Sequence, residues 1–431
     1  MLITIQAARA AGLALLAAVA TSAGAQTVAI TGGRVYPVSG PPIENGTVVI
    51  RDGRITAVGA GIAVPAGAQR IDATGKWVTP GLINSATELG LYEIGAVNET
   101  REAIAVGREG IAAAFTAWEG LNPASVLIAP ARNEGITTVV AAPAGNLLVT
   151  GQAALIDLVD GSAADMIVRA PLAMIAQVGN AQGANLGARG ELLVRMRELL
   201  EDTRAFAANR AAFERNQARR YSASRPDLEA MIPVVQGRLP LIVAVSKASD
   251  IEAALKLGRD YGLRLMIAGA AEGWLVADQL AAAKVPVLAG AMNNIPSSFS
   301  SLGTRQENVA LLRRAGVPVL IIGNSGGGDE EAFNVRNLKQ EAGNAIAYGL
   351  PWDEALRAVT LTPAEAFGLA DRYGSLQPGR VANVVVWSGD PFEFTTRAEH
   401  VLVRGREIVT PTRQDMLTER YKSLPPSYRQ P

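Results

Sequence analysis

The sequence predicts an α/β fold: a (β/α)8 TIM-type barrel joined to a small β-sandwich-like domain that is built from both ends of the chain. Two observations predict it. Through the middle of the 431-residue chain, β-branched and aliphatic runs alternate with helical patterns, as repeated β-α units require. At the two ends, short segments of alternating hydrophobicity indicate a separate sheet. We therefore assign residues 80–370 to the barrel and residues 26–79 plus 371–415 to the β-domain.

The first 25 residues have the layout of a secretory signal peptide. Arg9 is their one charged residue, an apolar run covers residues 11–20, and Ala23-Gly24-Ala25 offers a small-residue cleavage site. The run is shorter than a stable transmembrane helix, although a retained anchor is the alternative interpretation. The sequence thus predicts an exported protein, periplasmic or secreted, without a stable membrane anchor.

The β-domain begins with a hairpin. The pieces NGTVVI and DGRITAV alternate apolar and polar residues around Asp52-Gly53, and an Asp-Gly pair favours the two-residue turn of a β-hairpin. Similar segments, NVVVWSGDP and HVLVRGREIV, return near the C-terminus. We expect all of these segments to join one sheet.

Near-continuous apolar runs mark the barrel strands. Such runs are typical of parallel strands that are covered on both faces. Seven are clear, and MIVRA near Met166 is the candidate for the eighth. The seven occupy residues 81–86, 136–143, 172–179, 239–246, 263–270, 285–291 and 317–324.

Residues 191–221 predict one long amphipathic helix. Its apolar side chains recur near one face: Leu192, Met196, Leu199, Phe206 and Phe213. We interpret it as a solvated outer helix, with a partner-binding arm as the alternative. After Pro411 the chain is polar, and we expect residues 416–431, which end in LPPSYRQP, to form a poorly ordered tail.

Charge and composition exclude several functions. Lys+Arg and Asp+Glu both number 40, so the chain lacks the basic excess that nucleic-acid binders need. Cysteine is absent and His400 is the one histidine. A catalytic zinc ion usually takes three ligands from His, Cys and carboxylates, and a Ser-His-Asp triad needs an imidazole. One imidazole cannot build either site.

Three segments carry a family resemblance: GTVVIRDGRITAVGAG with VTPGLI after it, DIEAALKLGRDYGLRLMIAGAAEGWL, and LTPAEAFGLADRYGSLQPGRVANVVVWSGDPFE. From about residue 28 to residue 409 the chain resembles the amidohydrolase superfamily, in its imidazolonepropionase-like and prolidase-like branch. The resemblance implies a metal-dependent hydrolase fold with a zinc site. It also implies that GQAALIDLVDG, residues 151–161, is a loop after the second barrel strand.

The metal ligands that the resemblance implies are missing. The family's His-x-His pair falls on Ala86 and Glu88, its strand-five histidine on Ala244, and its strand-eight aspartate on Asn324. A strand-six histidine would fall within residues 268–270, which are apolar. Methyl and amide groups cannot replace these ligands. We therefore expect no zinc and no other cofactor.

Two weaker possibilities for the metal site stay open. The family's strand-four bridging residue has no clear counterpart, and the uncharged Gln177 is the nearest polar candidate. Glu88 and Glu272 could form a carboxylate-only site for a hard cation, although two acids make a weak case.

Polar residues expected at the barrel mouth are the remaining site candidates. Lys247 could act as a base or Schiff-base former if it is desolvated, with a surface lysine as the plainer interpretation. The Gly-rich loop GNSGGG could offer backbone N–H groups to an anion, whereas Ser325 lacks a nearby base because His400 belongs to the terminal sheet. The candidate pocket residues are Glu88, Gln152, Lys247, Asn293, Asn324 and Ser325.

Two function classes follow. The missing ligands favour a non-catalytic binding or structural subunit, paired with a paralogous amidohydrolase or with a second copy of itself, and able to take a small molecule or peptide as ligand. The alternative is a hydrolase that acts on carbon–nitrogen bonds of small peptides or cyclic amides through a rebuilt site.

Overall fold

A computed structural model of the chain describes residues 27–179, 187–215, 217–292, 296, 299–323 and 329–423. The predicted signal peptide lies outside these residues. Two eight-stranded sheets organise the described chain, one built from the chain ends and the other forming the barrel.

The strands are numbered in chain order. They are β1 Thr27–Val35, β2 Ile43–Arg51, β3 Arg54–Ala60, β4 Gln69–Asp72, β5 Trp77–Pro80, β6 Leu82–Thr87, β7 Ile136–Ala141, β8 Val149–Asp157, β9 Ile167–Gln177, β10 Leu241–Val245, β11 Leu265–Gly269, β12 Val287–Ala289, β13 Val319–Ile321, β14 Val384–Trp387, β15 Ala398–Val403 and β16 Arg406–Glu407.

The α-helices are numbered in the same way. They are α1 Ile128–Asn133, α2 Ala163–Met166, α3 Arg189–Ala208, α4 Arg210–Glu214, α5 Arg225–Val235, α6 Ala248–Tyr261, α7 Ala277–Ala282, α8 Asn308–Arg314, α9 Asp329–Asn334, α10 Leu338–Ala347, α11 Trp352–Ala358, α12 Leu361–Ala366 and α13 Arg413–Tyr421. Short 3-10 turns occupy Asn98–Thr100, Ala117–Gly120, Gly273–Val276, Phe299–Ser301 and Val335–Asn337. Within the described residues, every helix is too short or too polar to cross a membrane.

The terminal sheet confirms the prediction that both chain ends build one sheet. Its strands follow the order β16-β15-β14-β5-β1-β2-β3, with β4 beside β1. The predicted hairpin joins β2 to β3, where Asp52 and Gly53 both have positive φ angles, 52° and 74°. That backbone suits an Asp-Gly pair, because both turn residues must enter the left-handed region.

The barrel sheet runs from β6 to β13 in spatial order, and β13 approaches β6, so the sheet nearly closes. Inward-facing side chains fill it: Ile83, Val140, Leu155, Leu172, Ile242, Met266, Leu288 and Leu320. Phe367, Leu369 and Tyr373 pack against this interior. The barrel centre is therefore a packed core rather than a pore.

Strand β8 corrects two sequence predictions. Residues 151–157 of the expected loop belong to β8, and the MIVRA segment begins β9 instead of forming a strand of its own. Every residue of β8 is buried. β8 runs antiparallel to both of its neighbours, so a short connection joins it to β9 and no crossover helix is required.

The predicted long helix is divided in two and ends at Glu214, so the prediction is wrong for residues 217–221, which are not helical. Helix α3 ends at Ala208 and α4 begins at Arg210, because Asn209 leaves the helical conformation. The predicted apolar face is confirmed, since Leu192, Met196, Leu199 and Phe206 are buried. The break turns the ring of Phe213 edge-on to that of Phe206, with centroids 5.1 Å apart.

Helix α13, residues 413–421, includes the first part of the predicted tail, residues 416–421. A capping box stabilises its start, where the Thr412 hydroxyl accepts from the Asp415 amide and the Asp415 carboxylate accepts from the Thr412 amide. No residue of this helix is buried. The end of the predicted tail, residues 424–431, lies outside the described residues.

A buried carboxylate connects the barrel to the terminal sheet. Asp157, at the end of β8, is fully buried and accepts hydrogen bonds from Thr138 Oγ1 at 2.8 Å and Arg404 Nε at 2.7 Å. Asn383 Nδ2 at 3.1 Å and the Tyr373 hydroxyl at 3.0 Å also donate to it. Burial, followed by the Asp157 charge, raises the pKa of Tyr373, so this hydroxyl keeps its proton.

We expect Asp157→Ala to lower the free energy of unfolding by about 3 kcal/mol, because it leaves several buried donors and an arginine without their acceptor. Urea denaturation of the full chain measures the change. Asp260→Ala is the matched control, since Asp260 pairs with Lys256 on an exposed helix face and its loss should cost below about 0.5 kcal/mol. Equal effects of the two substitutions would contradict the role given to Asp157.

Candidate functional site

The barrel mouth is lined by small apolar side chains. Above the packed layer, the next inward-facing positions at the strand ends are Ala142, Ala268 and Ile322, and Ala244 pairs with Ala268 in the same register. Ala244, Ala268 and Ile322 are half-buried, while the layer beneath them is buried. Solvent therefore reaches part of Ala244, Ala268 and Ile322, which present apolar surface above the packed layer.

A bulge at the end of β6 shapes one side of the mouth. Asn84 pairs with Val139 and Thr87 with Ala141, so β6 carries one extra residue there. The bulge lets Ala86 face the barrel interior, where it packs against the interior core. Among the described residues, no partner meets Nδ2 of Asn84 or Oγ of Ser85, although both side chains are fully buried.

Within the described residues, the side chains at the aligned ligand positions include methyl groups, a carboxylate and an amide but no imidazole. Ala86 packs against the interior core, Ala244 pairs with the inward-facing Ala268, and Glu88 is buried with 2% of its surface exposed. Gln177 lies beside Ala244 in the barrel register and donates its Nε2 to the Gly145 carbonyl at 2.5 Å. Within the described residues, no three His, Cys, Asp or Glu side chains come together as a metal-binding group. This set of groups therefore does not fit a tetrahedral zinc ion.

Lys247 lies at the rim, where β10 ends and helix α6 begins. It is half-buried and has charges of both signs near it. Glu272 Oε2 accepts from the Ala248 amide at 2.9 Å, and Asp250 pairs with Arg189. Burial raises the pKa of the Asp250 carboxyl; Arg189 and Lys247 oppose that rise and Glu272 adds to it. The rim therefore carries a balanced charge cluster.

Gln152 does not lie in the barrel interior. It alternates with the inward-facing Ala153 along β8 and is buried, with its Nε2 donating to the Ala113 carbonyl at 3.0 Å. The backbone N–H of Gln152 also donates to the Phe115 carbonyl at 2.9 Å. Gln152 thus holds the segment that follows β6 against β8, and the expectation that it faces the mouth is wrong.

The other candidates are placed as follows. Asn293, Asn324 and Ser325 lie outside the described residues. His400 lies in β15 of the terminal sheet, as predicted, with its Nδ1 2.6 Å from Glu407 Oε1.

Glu341 is a mouth-supporting residue that sequence reasoning missed. It is 1% exposed on helix α10 and accepts hydrogen bonds from the amides of Ala291, at 2.5 Å, and Met292, at 2.6 Å. These residues begin the loop after β12. A glutamate among the polar positions of a helix usually indicates a solvated face, so the pattern contained no signal for this contact.

Comparison with known proteins shows which families the chain is similar to. A sequence model described as "Amidohydrolase family" matches residues 203–409. The imidazolonepropionase of Mesorhizobium japonicum is 25% identical over 390 residues, 80% of this chain and 87% of that protein. The imidazolonepropionase of Acidiphilium cryptum is 26% identical over 386 residues, 81% of this chain and 89% of that protein.

Solved structures give the same fold. An amidohydrolase from Thermotoga maritima superposes with a TM-score of 0.80 at 24% identity, covering 89% of this chain and all of that one. A prolidase complexed with N-methylphosphonate-L-proline superposes with a TM-score of 0.54 at 17% identity, covering 90% of this chain and all of that one. The barrel and its terminal sheet thus have the fold of these solved structures. Residues 203–409 of the chain thus match the amidohydrolase family, and most of its length is similar to imidazolonepropionases.

We expect Glu341→Ala to loosen the loop after β12, because two amides lose a charged acceptor. The free energy of local opening at Ala291 and Met292 should fall by about 1 to 3 kcal/mol. Hydrogen exchange of these two amides measures it. Glu365→Ala, which removes an exposed partner of Arg357, is the control and should leave the exchange unchanged; equal protection in both variants would contradict the role of Glu341.

Proposed function

We propose that this chain is an exported, non-catalytic member of the amidohydrolase superfamily that serves as a binding or structural subunit. The observation that carries the proposal is the chemistry of the mouth. Ala86 and Ala244 carry methyl groups where the family resemblance implies imidazoles, and both positions lie at the barrel interior. A wall of this kind neither holds a transition-metal ion nor lowers the pKa of a bound water.

The same wall is suited to ligand binding. Half-buried methyl groups above a packed hydrophobic layer provide apolar surface that a small molecule or peptide side chain can cover. The partner that we favour is a paralogous amidohydrolase in the same compartment, with a homo-oligomer as the second form. The proposed compartment, the periplasm or the extracellular space, rests on the N-terminal sequence.

The proposal is tested on tagged protein that is purified from the periplasmic fraction of its native cell. We expect a mature N-terminus near Gln26, a copurifying amidohydrolase paralogue or a dimer of the chain, and zinc, manganese and iron each far below one ion per chain. A zinc enzyme carried through the same elemental analysis is the positive control. About one tightly bound ion per chain would overturn the non-catalytic assignment, and a lone monomer would overturn the subunit role.

A rebuilt hydrolase is the second candidate, and one observation favours it. Lys247, Asp250 and Glu272 bring titratable groups together at the rim, and Glu88 adds a buried carboxylate beside the mouth. General acid–base or Schiff-base chemistry uses groups of this kind. The relatives named imidazolonepropionase and prolidase suggest cyclic amides and dipeptides as substrates.

For the hydrolase candidate, the full chain is assayed against dipeptides and cyclic amides. If it is correct, turnover should fall at least about 100-fold in Glu88→Ala or Lys247→Ala, as for the loss of a general acid or base. Lys256→Ala changes an exposed lysine of helix α6 and should retain full activity. The non-catalytic proposal instead predicts no turnover above the buffer rate in the wild type or in any variant. Turnover by the wild type that Lys247→Ala removes would favour the hydrolase.

A further inference from the structure

A second cavity, separate from the barrel interior, opens beside the mouth. It has a volume of about 250 Å³ and lies between the turn at residues 109–111, helix α3 and residues 220–222. Ile111 in its wall pairs with Val149 at the start of β8. Because β8 is antiparallel to its neighbours, its start lies at the mouth end of the barrel.

Buried contacts fix one wall of the cavity. Asp202 is fully buried; its carboxylate accepts from the Ser222 amide at 2.6 Å and from the Arg219 guanidinium. The Tyr221 ring stacks on Phe213, with centroids 5.8 Å apart and an interplanar angle of 15°. Residues 219–222 are therefore held in place without help from a ligand.

The opposite wall is also constrained. Glu109 lies in the left-handed region with a φ of 52°, in a turn between Gly107 and Gly110, which have positive φ angles as well. The Arg195 guanidinium donates to the Glu109 carbonyl. This contact ties helix α3 to the turn and leaves the other guanidinium N–H groups of Arg195 at the cavity.

The polar groups of the cavity include an unused hydroxyl. Within the described residues, Ser222 Oγ is buried and has no hydrogen-bond partner, which is unfavourable unless a ligand or water meets it. Arg220 and Glu109 approach to 3.4 Å across the cavity, but their side chains are 90% and 60% exposed. Such a pair is worth little in water and exchanges readily for other partners.

We propose that this cavity binds the zwitterion of an α-amino acid, either free or at the ends of a short peptide. A carboxylate can accept hydrogen bonds from the guanidinium groups of Arg195 and Arg220 and from the Ser222 hydroxyl. Glu198, on the next turn of helix α3, lines the same cavity and suits an ammonium group. Two arginines and two glutamates leave the lining with no net formal charge, so a ligand with both charges fits better than a plain anion or cation.

The cavity also has room for an apolar side chain. Ile111 and the Tyr221 ring form its apolar surface, which favours a leucine-like side chain over a charged one. The site does not depend on the barrel mouth. This proposal can therefore be right or wrong independently of the proposed function.

Isothermal titration of the full chain at low salt tests the proposal. The probes are leucine, glycyl-leucine, leucinamide, which lacks the carboxylate, and N-acetyl-leucine, which lacks the ammonium group. We expect leucine or glycyl-leucine to bind saturably with a Kd of about 1 mM or below, and both capped compounds to bind at least about 10-fold more weakly. Comparing leucine with glycyl-leucine separates a free amino acid from a peptide.

Variants locate the binding. Arg195→Gln and Ser222→Ala should each weaken it, by about 10-fold and about 5-fold, since each removes a carboxylate contact. Arg197→Gln, on the same helix but outside the cavity lining, is the matched control and should bind as the wild type does. Ser222→Ala keeps the test valid if Arg195→Gln disturbs the turn at Glu109.

Three results would overturn the proposal. They are the absence of saturable binding up to about 10 mM, equal affinity for the zwitterions and the capped compounds, and unchanged affinity in both cavity variants.

Discussion

The alternation of side chains along the barrel strands is the constraint on which the rest of the structure depends. Each strand sends every second residue inward, and a closed ring leaves space for only a few large side chains in each layer. Ile242, Met266 and Leu320 fill the packed layer, so the positions two residues later, Ala244, Ala268 and Ile322, must form the mouth. The character of the mouth is therefore decided by the residues at those positions, since the backbone path is set by the packing beneath them.

The same constraint separates fold from chemistry. Packing requires only that the layers be filled, and methyl groups at the mouth fulfil that requirement as well as imidazoles do. A barrel of this fold can thus carry apolar side chains at its mouth while its core, its terminal sheet and the Asp157 cluster stay intact. Fold and catalytic competence consequently rest on different residues.

The sequence predicted those features that local chemistry determines. The Asp52-Gly53 hairpin, the apolar barrel strands and the buried face of α3 follow from turn propensity and side-chain periodicity. Long-range choices were missed. Nothing local distinguishes an antiparallel β8 from a buried loop, and Asn209 is compatible with a helix until tertiary packing breaks it. The contacts of the candidate sites were also missed, because Glu341 and Ser222 meet their neighbours only in the folded chain.

The strand order of the terminal sheet has a consequence for how the chain acquires its structure. β14 lies between β5 and β15. This pairing places Val384 beside Pro80, although more than 300 residues separate them in the sequence. The N-terminus of a growing chain is synthesised first. The edge of β5 that pairs with β14 therefore stays without its partner strand until nearly the whole polypeptide has been released. Exposed edges of this kind recruit foreign strands. The period before residue 384 appears is therefore when this protein is most in need of a chaperone.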